Sequence, residues 1–336
     1  MENFIKNIPK AELHLHIEGT FEPELMFRIA ERNHIQIPYQ TIEEIRDAYK
    51  FSNLQDFLNI YYEATNVLVL EQDFYDLTWA YLKKLQEQHV VHTELFFDPQ
   101  SHTSRGISFG TVINGIHHAL LDAEQELGIS SKLIMSFLRH LSETSAMNTL
   151  NESLLYKDWI LGVGLDSSEK GHPPSKFRNV FLKAKQEGFK GVAHAGEEGP
   201  PSYVREAIYH LGVSRIDHGN RSLEDADLIN ELVDRQMPLT LCPLSNLKLG
   251  VIKDLKDYPL KKMMDYGLLV TVNSDDPAYF GGYLNENLLA VSKALNLSKY
   301  DIYRLARNSF TSSFLEDNLK EKYIQEVEEF YHSAIY

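Results

Sequence analysis

The sequence predicts an α/β fold, a (β/α)8 TIM barrel with extra helices near the N-terminus and at the C-terminus. Two observations carry this expectation. Eight short apolar segments alternate with helical stretches, the pattern of a parallel sheet with crossover helices. Polar residues able to do chemistry collect where five of those segments end, and such barrels carry their sites at that face. The length agrees: 336 residues is long for one domain, but α/β barrels often reach this size, so residues 1–336 are expected to form one domain.

The first strand is read at Glu12-Leu13-His14-Leu15-His16-Ile17-Glu18-Gly19. Alternation places His14 and His16 on one face and Leu13, Leu15 and Ile17 on the other. A helix follows Pro23, with Leu25, Met26, Ile29 and Ala30 as its apolar stripe. Thr41-Ile42-Glu43-Glu44 has capping-box spacing. Residues 51–62 and 73–88 read as two more helices. Val90 to Phe97 is the second strand, and helix Phe109 to Leu127 stops at Gly128. Lys132 to Leu138 and Ile160 to Leu165 are the third and fourth strands, with a helix between. Ser175 caps the next helix, whose Phe177, Val180, Phe181 and Ala184 share a face. Lys190 to His194 is the fifth strand, and Ser214 to His218 the sixth. Pro238 to Cys242 is the seventh and Leu268 to Asn273 the eighth, each preceded by a helix. Phe51, Leu54, Phe57 and Leu58 recur at helical spacing and read as core.

Composition excludes several classes of function. The formal charge is −15 with no basic stripe, which argues against nucleic acid or an anionic membrane as partner. No apolar run approaches a membrane span, and the first ten residues hold no signal-like segment. The lone cysteine, Cys242, cannot form an intrachain disulfide. A cytoplasmic protein acting on a small molecule is expected. Nothing in the sequence sets an oligomeric state.

Strand one contributes His14 and His16 to the rim, and strand five contributes His194 with Glu197 just beyond. Strand six adds His218, strand eight adds Asp275 and Asp276, and the fourth strand runs into Asp166-Ser167-Ser168-Glu169. Three imidazoles and a carboxylate suit Zn2+ with one position left for water, so His14, His16, His194 and Asp275 are read as ligands of one zinc per chain. Such a zinc brings the pKa of bound water to roughly 7. Glu197 follows His194 across Ala195-Gly196 and is placed to move protons beside the metal. His218 reads equally as a site residue or as a core histidine. Asp275 and Asp276 point differently at a strand end, so one can bind metal and the other substrate.

Four motifs in order, His14-Leu15-His16-Ile17-Glu18-Gly19-Thr20, His194-Ala195-Gly196-Glu197, Arg215-Ile216-Asp217-His218-Gly219 and Asn273-Ser274-Asp275-Asp276-Pro277, resemble the adenosine/adenine deaminase family. The likeness runs from Pro9 to Phe310. It implies a zinc-bearing TIM barrel that hydrolyses the 6-amino group of a purine. It also implies His14, His16, His194 and Asp275 as zinc ligands, Glu197 as proton donor, and His218 as the group that orients and polarises the water. Asp276 would contact the purine. An apolar helix near residues 51–58 shields the substrate in this family. Ser168 and Glu169 lie where members contact the base edge, an alignment too loose to assign them.

Within the family the likeness is closer to members acting on the free base adenine, giving hypoxanthine and ammonia in purine salvage, than to those acting on adenosine. Glu18 carries much of this, because nucleoside enzymes tend to have Asp there, where it reaches the ribose. By alternation Glu18 should lean toward the ligand face at the barrel mouth, and its extra methylene should occupy sugar space; a turn cap is its simpler role. A rival class, two-metal TIM-barrel hydrolases, shares the His-x-His strand and needs a bridging group at the end of strand four, where Asp166 stands. Deaminases with a Pro-Cys-x-x-Cys zinc motif are excluded by the single cysteine.

Overall fold

The computed structural model describes residues 1–51 and 53–335. Eight strands, β1 (Lys10–Glu12), β2 (Val90–Phe97), β3 (Ser130–Leu138), β4 (Ile160–Asp166), β5 (Lys190–Ala195), β6 (Arg215–His218), β7 (Leu239–Leu241) and β8 (Val270–Val272), lie side by side in chain order. Each neighbouring pair is parallel. The ring is drawn together beyond β8. Leu15 bridges Asp275, with the His16 N–H donating to Asp275 O at 3.0 Å and the Asp275 N–H donating to His14 O at 3.1 Å. The result is the expected eight-stranded barrel with helices between its strands. No described helix is long and apolar enough to cross a membrane.

The first strand departs from its expected extent. Ladder pairing ends at Glu12, and residues 13–16 continue as a thread between the ends of β2 and β8. Ile17 already has helical dihedrals, and Glu18–Thr20 form a 3-10 turn. Alternation therefore holds for His14 and His16 but fails at Glu18.

Helices Pro23–Arg32, Ile42–Ala48, Leu54–Thr65 and Glu71–Glu87 fill the long connection from β1 to β2. Thr41 caps the second of these through the Glu44 N–H, as its spacing predicts. The helix expected over 51–62 starts at Leu54, because the Asn53 side chain caps it through Asp56 N; Ser52 lies outside the described residues. Ser175 is not a helix cap: it sits in the 3-10 turn Pro174–Phe177, and the helix begins at Arg178.

Inside the barrel, Phe96 of β2, Ile134 of β3 and Val192 of β5 form a separate apolar cluster. The Phe96 ring lies 5.3, 5.0 and 5.7 Å from the rings of His14, His16 and His194, so this cluster is the floor beneath the rim. At the other end of the interior, Arg215 is ion-paired with Glu94, both side chains fully buried.

Candidate active site

The histidines that follow β1 and those of β5 and β6 turn their rings to one point, and carboxylates from behind set their orientation. His14 Nδ1 lies 2.9 Å from Thr240 Oγ1, which itself donates to Asp217 Oδ1 at 2.9 Å. Thr240 therefore accepts from His14 Nδ1–H, which leaves the Nε2 lone pair free, and Nε2 is buried without a hydrogen-bond partner. His16 Nδ1 faces Asp166 Oδ2 at 3.5 Å, and His194 Nδ1 faces Asp217 Oδ2 at 3.8 Å. On the inner side His16 Nε2 is 3.2 Å from His194 Nε2 and 3.5 Å from Asp275 Oδ1, and His14 Nε2 is 3.3 Å from Asp275 Oδ1. His218 Nε2 stands 3.6 Å from Glu197 Oε2 and 3.8 Å from Asp275 Oδ2. His14, His194, His218 and Asp275 each offer a ligand atom within 4.8 Å of the others.

These spacings fit a metal. Two ligands on a tetrahedral zinc with bonds of about 2.0–2.1 Å lie about 3.3 Å apart. The buried, unpartnered Nε2 of His14 and the close approach of two ring nitrogens agree with a cation shared between them. Burial pushes the His194 ring well below its usual pKa, helped by His14, His218 and His16, and burial with His14 brings His218 down to about 3. Both rings are thus neutral, the state in which imidazole donates a lone pair. His218 and Asp275 have φ of 64° and 65°, a left-handed backbone uncommon for non-glycine residues that is found where a site demands it.

Glu197 and Asp276 complete the rim. Glu197 is buried, and Asn246 donates from Nδ2 to its Oε1 at 3.1 Å. Asn246 is fixed in turn by Asn220 and Tyr258, which both donate to its Oδ1. Burial, then the charge of Asp275, then that of Glu169, raise the Glu197 carboxyl well above its usual range, which favours its protonated form. Burial and Asp275 raise Asp276 likewise. Gly19 packs against Asp276 so closely that a side chain there would run into the carboxyl.

His16, His194, Glu197, His218, Asp275 and Asp276 line one cavity. Leu54, Phe57, Leu58, Tyr61 and Tyr62 of helix Leu54–Thr65 form its apolar wall; Phe57 and Leu58 belong to the core, as expected, and cover the site as well.

Glu18 is corrected by the structure. It is fully buried, does not line the cavity, and accepts from the Asp98 N–H at 3.1 Å and from His102 Nε2 at 2.9 Å. The 3-10 turn that begins at Glu18 swings its side chain behind the rim, so it occupies no space at the mouth. Two residues that do matter were missed. Asp98 follows β2 and lines the cavity, and its Asp98-Pro99 step repeats the Asp276-Pro277 step after β8. Asn246 lies five residues beyond β7. Asp98 was legible by the strand-end rule that found the others.

The adenosine deaminase family profile matches residues 9–330. The chain belongs to the adenosine deaminase family. This metal-dependent family accounts for both the barrel and the histidine–aspartate cluster. Within it, the chain is 61% identical over 323 residues to the adenine deaminase of Acinetobacter baylyi, covering 96% of this chain and 97% of that one. The crystal structure of adenine deaminase from Arthrobacter aurescens superposes with a TM-score of 0.95 at 50% identity, covering 96% of this chain and 99% of that one. An amidohydrolase from Burkholderia ambifaria, solved with bound Zn, shares the fold at a TM-score of 0.91 and 23% identity, covering 99% of this chain and 94% of that one.

Proposed function

We propose that this chain hydrolyses the free base adenine to hypoxanthine and ammonia, as a zinc-dependent purine-salvage enzyme, with residues 1–336 acting as one catalytic domain. The observation that carries the reading is the meeting, at one cavity, of the His14–His16–His194–Asp275 group with the buried Glu197 and Asp276 carboxyls. The high identity to adenine deaminases along nearly the whole chain supports adenine over adenosine.

His14, His16, His194 and Asp275 would hold the zinc, which when bound supplies the Lewis acidity that activates water at neutral pH. The chain's own groups do the rest. Attack of water on C6 moves electron density onto N1, and Glu197 delivers the proton that N1 then needs. Asn246 keeps that carboxyl aimed. His218, between Glu197 and Asp275, orients the water and shares its proton, a role open to it because the ring is neutral. Asp276 holds the imidazole edge at N7. The apolar wall of helix Leu54–Thr65 keeps bulk water from the reacting atoms. The proton that His218 takes from the water passes to the amino group, the C6–N6 bond breaks and ammonia leaves, and the second water proton returns to Glu197 as the oxygen becomes the C6 carbonyl.

The test is to incubate purified protein with adenine and adenosine separately, following ultraviolet absorbance and ammonia. Adenine should be consumed with one ammonia per base. A preference for adenosine would replace the free-base assignment, and no ammonia from either would overturn the reaction.

A further inference from the structure

We infer that Asp98, held in place by Glu18, accepts the N9–H of the free base and so makes this cavity select adenine over purines substituted at N9. The inference rests on the purine placement proposed above. With C6 at the histidine cluster, N1 at Glu197 and N7 at Asp276, the remaining ring nitrogens, N9 and N3, point away from the cluster. N9 lies on the same five-membered ring edge as N7, so its partner must share the cavity with Asp276.

Asp98 meets that condition. It lines the cavity with Asp276, Asp166, Tyr61 and Tyr62. Its residue is 3% exposed, and Oδ1 has no hydrogen-bond partner. Oδ2 receives the Tyr61 hydroxyl, at 3.5 Å, and the Asp166 carboxyl stands beside the group, close enough to share a proton with it. A buried carboxyl oxygen without a donor is costly, and a ligand N–H removes that cost. A carboxyl offers an acceptor oxygen whether or not it carries a proton, so the assignment does not depend on its titration.

Glu18 explains why this acceptor is rigid. Its Oε1 takes both the Asp98 N–H and His102 Nε2, which fixes the backbone of the loop after β2. Glu18 thus acts on selectivity from behind, through Asp98, and not by filling sugar space. A base bearing a group on N9 loses the hydrogen bond and pushes that group against the carboxyl. Sites built around a substrate N–H discriminate far more strongly than sites that sense one methylene.

The experiment compares kcat/KM for adenine and 9-methyladenine in wild type, Asp98→Ala and Asp98→Asn, with zinc content and Tm measured on each. Equilibrium binding of hypoxanthine and 9-methylhypoxanthine is measured beside it, so the answer does not depend on turnover. Asp98→Ala should lower kcat/KM for adenine by about 10²-fold and leave 9-methyladenine unchanged or improved. Asp98→Asn, which keeps an acceptor oxygen, should fall between. The binding ratio should collapse in the same order. Equal losses for both purines would make Asp98 merely structural and overturn the inference, as would an unchanged preference for adenine. Failure of wild type to deaminate adenine would instead overturn the reaction, and the binding ratio would still decide on Asp98.

Discussion

The carboxylate of Glu169 holds the turn that presents Glu197. Its Oε1 accepts from Gly196 N at 2.7 Å, and its Oε2 accepts from Glu197 N at 3.1 Å, Glu198 N at 2.8 Å and Gly199 N at 2.7 Å. Gly199 is obligatory in this arrangement, since a side chain there would collide with the carboxylate. Glu169→Gln puts an amide NH2 against N–H donors and removes a buried negative charge. Misplacing a reacting group by about 1 Å can cost 10²-fold, so kcat should drop by that order with zinc retained. Loss of the charge also lets Glu197 release its proton more easily, so the alkaline limb of the kcat–pH profile should move to lower pH. A profile that keeps its position while kcat falls would leave Glu169 with a purely mechanical part.

Glu197 itself is tested by Glu197→Gln, which keeps the shape but cannot exchange the proton. General acid–base help is worth about 10²–10⁴-fold, and a kcat loss at or above that range is expected, with metal content and melting temperature near wild type. The working form is the protonated acid, so wild-type kcat should decline as pH rises through the raised pKa of this carboxyl. Near wild-type turnover in the variant would give the proton to another group.

Metal analysis should find about one zinc per chain. Chelation should abolish turnover, zinc should restore it, and His14→Ala, His16→Ala, His194→Ala and Asp275→Ala should each lose metal. Full activity in a rigorously metal-free sample would sink the assignment. Two ions per chain would instead place a second one among His16, Asp98 and Asp166, whose ligand atoms also lie within 4.8 Å of one another.

His218 sits close enough to Asp275 to belong to either set, and His218→Ala separates them. We expect a severe loss of kcat with metal retained. Loss of zinc from this variant, with retention in His16→Ala, would make His218 the ligand and His16 the bystander.

Stability should respond to pH through Lys10. Lys10 is 1% exposed, its Nζ donates to Ile5 O at 3.0 Å and Ile8 O at 2.9 Å, and burial lowers its pKa from 10.5 to about 7. Between those two values the unfolded chain binds more protons than the folded one, so this group makes stability rise with pH; below about 7 its penalty is complete and constant. Urea unfolding at pH 7.5 and 9.5 should show wild type gaining on Lys10→Met by up to about 1 kcal/mol per pH unit. Parallel behaviour of the two proteins would show that the amine is not desolvated in the way its position requires.

The order of strands, the barrel and the gathering of His14, His16, His194, Glu197, His218, Asp275 and Asp276 were all written in the sequence. Strand alternation and strand ends are local properties, and metal and proton chemistry admit few residue types, so short segments with the right residues at their ends identify the rim. The direction of Glu18 was not local. It depended on the chain leaving the ladder after Glu12, and its partner Asp98 is 80 residues away. The same holds for Glu169, which closes on a turn 27 to 30 residues later, and for Asn246, which reaches Glu197 across 49. Backbone N–H groups and loop ends have no signature in residue identity, and only the packed barrel brings them within hydrogen-bond reach.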